Sequence, residues 1–129
     1  MTKGEYNSLS GEVIGAAMEV HKELGPGLLE AVYEACLISE LRNKGFCVKS
    51  QVALPLYYKG QKLEKEFRLD LLVEDEVIVE LKAVDELKAI HEVQLVTYLK
   101  LADKKLGLLI NFNVPVLIKG VRRRINGIL

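Results

Sequence analysis

Two runs with strand-like patterning, residues 63–73 and 76–82, stand either side of Glu74-Asp75, and this arrangement most restricts the folds open to the chain. Alternation of apolar and polar residues at period two marks a strand with one buried face. In the first run Leu63, Phe67, Leu69, Leu71 and Val73 trace that face. A hairpin centred on Asp75 sets Val73 opposite Val77, Leu71 opposite Val79 and Asp70 opposite Glu80. The register is decisive, because a shift by one residue sends every side chain to the other face.

Directly opposed β-carbons lie about 4.5–5.5 Å apart, where like charges repel. Asp70 and Glu80 therefore need a counter-charge. Side chains two apart on a strand share a side, which puts Lys82 beside Glu80 and Arg68 opposite Lys82. A hard cation such as Mg²⁺ or Mn²⁺ prefers carboxylate, carbonyl and water oxygens, so Asp70, Glu80 and the Leu81 backbone carbonyl are candidate ligands. Lys82 could orient or deprotonate a water, or stabilise charge developing on a phosphate. Asp70, Glu80 and Lys82 are thus the candidate catalytic residues. The competing reading makes all three ordinary charges on a solvated sheet face. Against it, the runs Phe67 to Val73 and Val77 to Leu81 are too apolar to be fully exposed.

The remaining chain surrounds this hairpin in a definite order. Leu9, Val13, Ala16, Val20 and Leu24 recur at helical spacing and predict a helix over 8–24, capped by Ser8 or Ser10 and ended by Gly25-Pro26-Gly27. A second helix follows over 28–44, with Leu29, Val32, Cys36 and Leu37 inward. Residues 46–58 read as extended, with Pro55 marking an edge, bulge or break. A helix over 85–102 takes Asp85 as its N-cap. Leu106 to Phe112 reads as a buried strand, Val114 to Ile118 as a further strand, and Arg122 to Leu129 as a basic tail.

One domain is expected over 1–129, since the length suits one core and half the residues are hydrophobic. The apolar stretches are far shorter than the roughly 20 residues a membrane helix needs, and the first ten residues lack a signal-peptide core, so a cytoplasmic location is expected. Cys36 and Cys47 read as small core residues in a reducing compartment. Formal net charge is zero, so bulk attraction for nucleic acid is missing. Its distribution is uneven: Lys and Arg number 2 against 7 Asp and Glu over 1–40, then 7 against 2 over 41–68, 2 against 8 over 69–92, and 7 against 1 over 93–129. Such blocks can fold into an acidic centre between basic flanks, although ordinary solvated charge explains them equally well.

Gly27-Leu28-Leu29-Glu30-Ala31-Val32-Tyr33 spells GxxExxY and, with His21 to Pro26 before it, resembles the opening of the GxxExxY protein family, which is grouped with the PD-(D/E)xK nucleases. The resemblance extends from about Leu9 to Arg124. It implies an α/β fold with a PD-(D/E)xK nuclease-like αβββαβ core, a mixed central sheet flanked by helices, and an extra helix at the N-terminus. Asp70 resembles the family's metal-binding Asp, with Leu69 where the motif's name has proline, and Glu80 with Lys82 fits its (D/E)xK element. Glu30 resembles the helix-borne acidic residue that many members add, which implies a third metal ligand. Gln94 and Tyr98 resemble the QxxxY element of RecB-like nucleases, a pair that approaches the site or the nucleic acid; on spacing alone they are equally a packing pair. Tyr33 is expected to fix its helix and His21 to serve a structural role.

These implications make a Mg²⁺- or Mn²⁺-dependent nuclease acting on DNA the leading expectation. The alternative is a non-catalytic nuclease-fold module that binds a protein or nucleic acid, as a subunit of a larger complex; a homodimer is a third. Neither aromatic interleaving for single-strand stacking nor a groove-reading helix stands out in the linear sequence.

Overall fold

The computed structural model describes residues 1–129. Helices α1 (Lys3–Leu24) and α2 (Glu30–Asn43) lead into a three-strand meander, β1 (Val48–Tyr58), β2 (Gln61–Val73) and β3 (Val77–Lys82). Helix α3 (Ala89–Ala102), β4 (Leu106–Asn111), a short 3₁₀ turn at Leu117–Gly120 and β5 (Val121–Ile125) complete the chain. The five strands form one sheet in the order β1-β2-β3-β4-β5, parallel only between β3 and β4. That parallel pair needs a crossover, and α3 supplies it. The result is a mixed sheet flanked by helices, with the αβββαβ order and the extra N-terminal helix.

The hairpin forms in the expected register, with Val73 opposite Val77 and Leu71 opposite Val79. Glu74 and Asp75 carry the turn in left-handed backbone, φ 54° and 57°. The apolar residues of β2, expected on one face, divide between two. Leu71 and Val73 pack with Val77, Val79 and Leu81 against α1 and α2, whereas Leu69 and Phe67 join Leu72, Ile78, Leu95 and Tyr98 beneath α3. Leu63 is exposed. The alternation breaks at Asp70, which lies across from Gln51, a residue held at φ 50°. Ladder pairing of β2 with β3 also ends at Leu71 and Val79. Arg68 consequently does not face Lys82; its guanidinium donates to the Gln51 carbonyl at 3.3 Å and pairs with Glu66.

Other boundaries shift for identifiable reasons. Thr2, not Ser8 or Ser10, caps α1 through a capping box with Glu5, adding a turn and burying Tyr6. Leu24, expected inward, is exposed. Helix α2 is rotated so that Tyr33, Leu37 and Leu41 are fully buried while Leu29 and Val32 are exposed. Tyr33 sets that face: its ring stacks on Phe112 at 4.5 Å, and its hydroxyl donates to Gly25 O at 2.6 Å and accepts from Leu28 N–H at 3.1 Å. Cys36 is half-buried, and Cys47 is exposed and not a core residue. His21 Nε2 lies 2.8 Å from Val114 O, the structural role expected of it.

Asp85 does not cap α3, which begins at Ala89 after Lys88. The intervening loop is fixed by buried Asn111, whose Oδ1 accepts from Val84 N–H and whose Nδ2 donates to Val84 O. Residues 114–118 form no strand. Instead the chain turns through the 3₁₀ segment and comes back as β5 along β4, so Arg122, Arg123 and Arg124 belong to an edge strand and not to a tail. Arg122 and Arg124 reach Glu92 on α3, and Arg123 reaches Asn7 on α1. Gly120 makes the return possible, because a β-carbon there would run into the Asn111 carbonyl oxygen. Gly120→Ala is expected to cost about 1–3 kcal/mol, since backbone must move to admit the methyl; a urea midpoint matching wild type would contradict this. No helix is long and apolar enough to cross a membrane.

Candidate metal and catalytic site

The site forms where β2 and β3 part. Beyond Leu71 and Val79 the strands make no further ladder pair, and the Asp70 side chain takes over: its Oδ2 accepts from Leu81 N–H at 2.8 Å. Asp70 is half-buried at the point where β2 changes faces. Glu80, next along β3, is only 7% exposed, and its Oε1 is buried without a hydrogen-bond partner. Burial, with the Asp70 charge added to it, pushes the Glu80 carboxyl up to about 9. Lys82 opposes that rise without cancelling it.

Glu30 enters from the other direction, as the first residue of α2. Its pKa is raised, chiefly by burial and then by Asp70, with Lys82 pulling the other way. Helix α3 contributes Tyr98, 8% exposed, whose hydroxyl is raised by burial and by the Glu80 and Asp70 charges. Glu30, Asp70, Glu80, Lys82 and Tyr98 therefore form one electrostatic group. Gln94 shares the Tyr98 side of α3 but is exposed and stands outside that group. Lys82 is half-buried, and its carbonyl accepts from Phe112 N–H at 3.0 Å, which ties the end of β3 to β4.

The carboxylates influence one another, yet no three His, Cys, Asp or Glu side chains are grouped in a geometry ready to hold a metal. The donor set nevertheless suits a cation. A buried carboxylate oxygen without a partner is costly, and a second carboxylate beside it adds repulsion that a positive ion would remove. Absent an ion, the Glu80 group keeps its proton at neutral pH.

Three residues around the site escaped the linear reading. Gln51 lies opposite Asp70; its strained backbone accepts from Arg68, and its Nε2 donates to both oxygens of Glu34, one turn after Glu30. Gln51 and Glu34 thereby join β1 to α2 beside Asp70 and Glu30. Asn111 fixes the loop that leaves Lys82. Only the left-handed φ of Gln51 marks it as unusual, and nothing in its sequence context signals that. Tyr33, one turn after Glu30, fixes the start of its helix by bonding Gly25 O and Leu28 N–H in the preceding loop. Tyr33→Phe removes both hydroxyl hydrogen bonds and is expected to cost about 1–3 kcal/mol, measurable as a lowered urea midpoint; an unchanged midpoint would deny the hydroxyl this role.

A family model described as the PD-(D/E)XK nuclease superfamily matches residues 7–124. No curated protein and no solved structure matches the chain. The matched span takes in the α/β core and every residue of the electrostatic group, and the chain belongs to the PD-(D/E)XK nuclease superfamily.

Proposed function

We propose that the protein is a divalent-metal-dependent nuclease that hydrolyses phosphodiester bonds in DNA, working in the cytoplasm, and that within its superfamily it is of the GxxExxY kind. The observation that carries this reading is the buried, partnerless Glu80 oxygen set against Asp70 in a nuclease-superfamily fold. Glu30, Asp70 and Glu80, with the Leu81 carbonyl, would hold Mg²⁺ or Mn²⁺. A bound ion of this kind supplies Lewis acidity toward the phosphate and lowers the pKa of water. The residues do the rest. Asp70 keeps one oxygen on Leu81 N–H, which fixes the direction of its carboxylate across the gap between strands. Glu30 is carried on a helix N-terminus, where backbone N–H groups favour negative charge. Lys82 brings its Nζ to the attacking water and to the charge that develops on phosphorus. Tyr98 and Gln94 would support the substrate from α3. Incubation of the purified protein with labelled single- and double-stranded DNA and Mg²⁺ or Mn²⁺ tests the reading. Metal-dependent cleavage is expected, and no cleavage of either form would overturn it.

A second reading, a nuclease-fold module that binds without cutting, rests on the zero net charge and on carboxylates not grouped for coordination. The two separate in an assay that scores binding and cleavage together: a module of this kind retains nucleic acid or a protein partner and releases no product.

A further inference from the structure

β1 and β2 outrun the sheet. After β2 leaves β3 at Leu71, the two strands continue as a ribbon on their own, paired as far as Tyr58 and Gln61. Every residue from Tyr57 to Glu66 is exposed. Phe67, Leu69 and Leu54 still pack beneath α3, but from Tyr57 to Glu66 the ribbon has no third strand and no covering helix; such a hairpin is marginal in water, so packing does not explain its length. The tip is nevertheless well defined, because Lys59 at φ 49° and Gly60 at φ 81° form a two-residue turn that matches strand twist. Tyr57 and Tyr58 are 61% and 62% exposed and belong to neither core. Their partners across the ribbon are Lys62 and Gln61. Lys59 Nζ sits 5.5 Å from the Tyr58 ring centroid, and Lys62 and Lys65 follow, against Glu64 alone between Tyr57 and Lys65.

We propose that this ribbon is an arm that holds single-stranded nucleic acid, with Tyr57 on one face beside Lys62 and Tyr58 on the other stacking on unpaired bases, and Lys59, Lys62 and Lys65 contacting phosphates. Exposed aromatic rings interleaved with lysines are the chemistry a single strand recognises: every base offers a face to stack on, and the backbone supplies the complementary charge. In a duplex those faces are already covered by neighbouring bases. β2 runs directly from the arm into the site, with Lys62 about 26 Å before Asp70 at about 3.3 Å per residue. A strand laid along β2 would therefore lead into the gap between β2 and β3. The inference rests on the nuclease reading for its purpose, but its test does not.

Fluorescence anisotropy in EDTA, with a dye-labelled oligothymidine and a labelled duplex, measures binding without cleavage. Tyr57→Ala and Tyr58→Ala are each expected to weaken oligothymidine binding about 10-fold and to leave duplex binding unchanged. The combined Lys59→Ala, Lys62→Ala and Lys65→Ala variant is expected to flatten the salt dependence of log K by about 2. All five positions are exposed, so thermal melts should match wild type and certify folding. Tyrosine variants that bind oligothymidine as wild type does, or lose both ligands equally, would overturn the arm. A wild type that cuts DNA while the tyrosine variants bind normally would sink the arm and leave the nuclease standing. The tyrosine effect without any cleavage by wild type would do the reverse.

Discussion

Lys82→Ala is expected to lower metal-dependent DNA cleavage by about 10²–10⁴-fold, the usual range for a group that assists proton transfer or charge stabilisation. The fold should survive, because what ties this end of β3 is the Lys82 carbonyl on Phe112 N–H, which alanine retains. Metal affinity should hold or rise, since Lys82 opposes the negative charge of Glu30 and Glu80. A merely structural lysine would give the opposite pattern, a lowered melting temperature with cleavage reduced in proportion to unfolding. Cleavage rates at saturating Mn²⁺, measured beside a thermal melt, distinguish the two, and an unchanged rate would remove Lys82 from the chemistry.

Glu80→Gln should stabilise the metal-free protein, and increasingly so as pH rises. The folded-state pKa near 9 lies above the ordinary 4.5. In the unfolded chain the carboxyl ionises above about 4.5, whereas in the folded chain it keeps its proton until about 9. Wild type therefore has its full share of stability below the lower value and loses it across that window, at about 1.4 kcal/mol per pH unit. By pH 7 the loss is about 3 kcal/mol. Glutamine cannot ionise, so the variant escapes the loss. Urea unfolding in EDTA should give similar stabilities near pH 4.5 and a clear advantage to the variant at pH 7; parallel pH profiles would contradict the assignment. Added Mn²⁺ should reverse the order, because only wild type retains that ligand.

The hairpin was legible because its constraint is local. Glu74-Asp75 is the polar step between two apolar runs, and a turn there sets Val73 opposite Val77 and Leu71 opposite Val79. That register carries the pairing only to Leu71 and Val79; Asp70 and Glu80, expected as the next opposed pair, lie past the ladder, where the Asp70 side chain accepts from Leu81 N–H. The rest depends on distant partners. Leu29 and Val32 look as apolar as Leu37, and only Phe112, far along the chain, decides that α2 turns its Tyr33 face inward. Asp85 has the chemistry of an N-cap, but Asn111 holds Val84 in a loop and delays α3. Three successive arginines disguise β5, whose alternation appears only once Arg122 and Arg124 meet Glu92 and Arg123 meets Asn7. The break in alternation at Asp70 has no sequence mark, since it arises from Gln51 on a neighbouring strand. The same holds for the tyrosines of the ribbon, which looked like ordinary strand residues until the sheet ended short of them.

The most direct test of the metal site is calorimetric titration of the protein with Mn²⁺ near pH 7 in two buffers of different ionisation enthalpy. One saturable site is expected, abolished by Asp70→Ala, with a buffer dependence equal to about one proton released per ion, because Glu80 must give up its proton to coordinate. No saturable binding, or binding that persists in Asp70→Ala, would contradict the metal site.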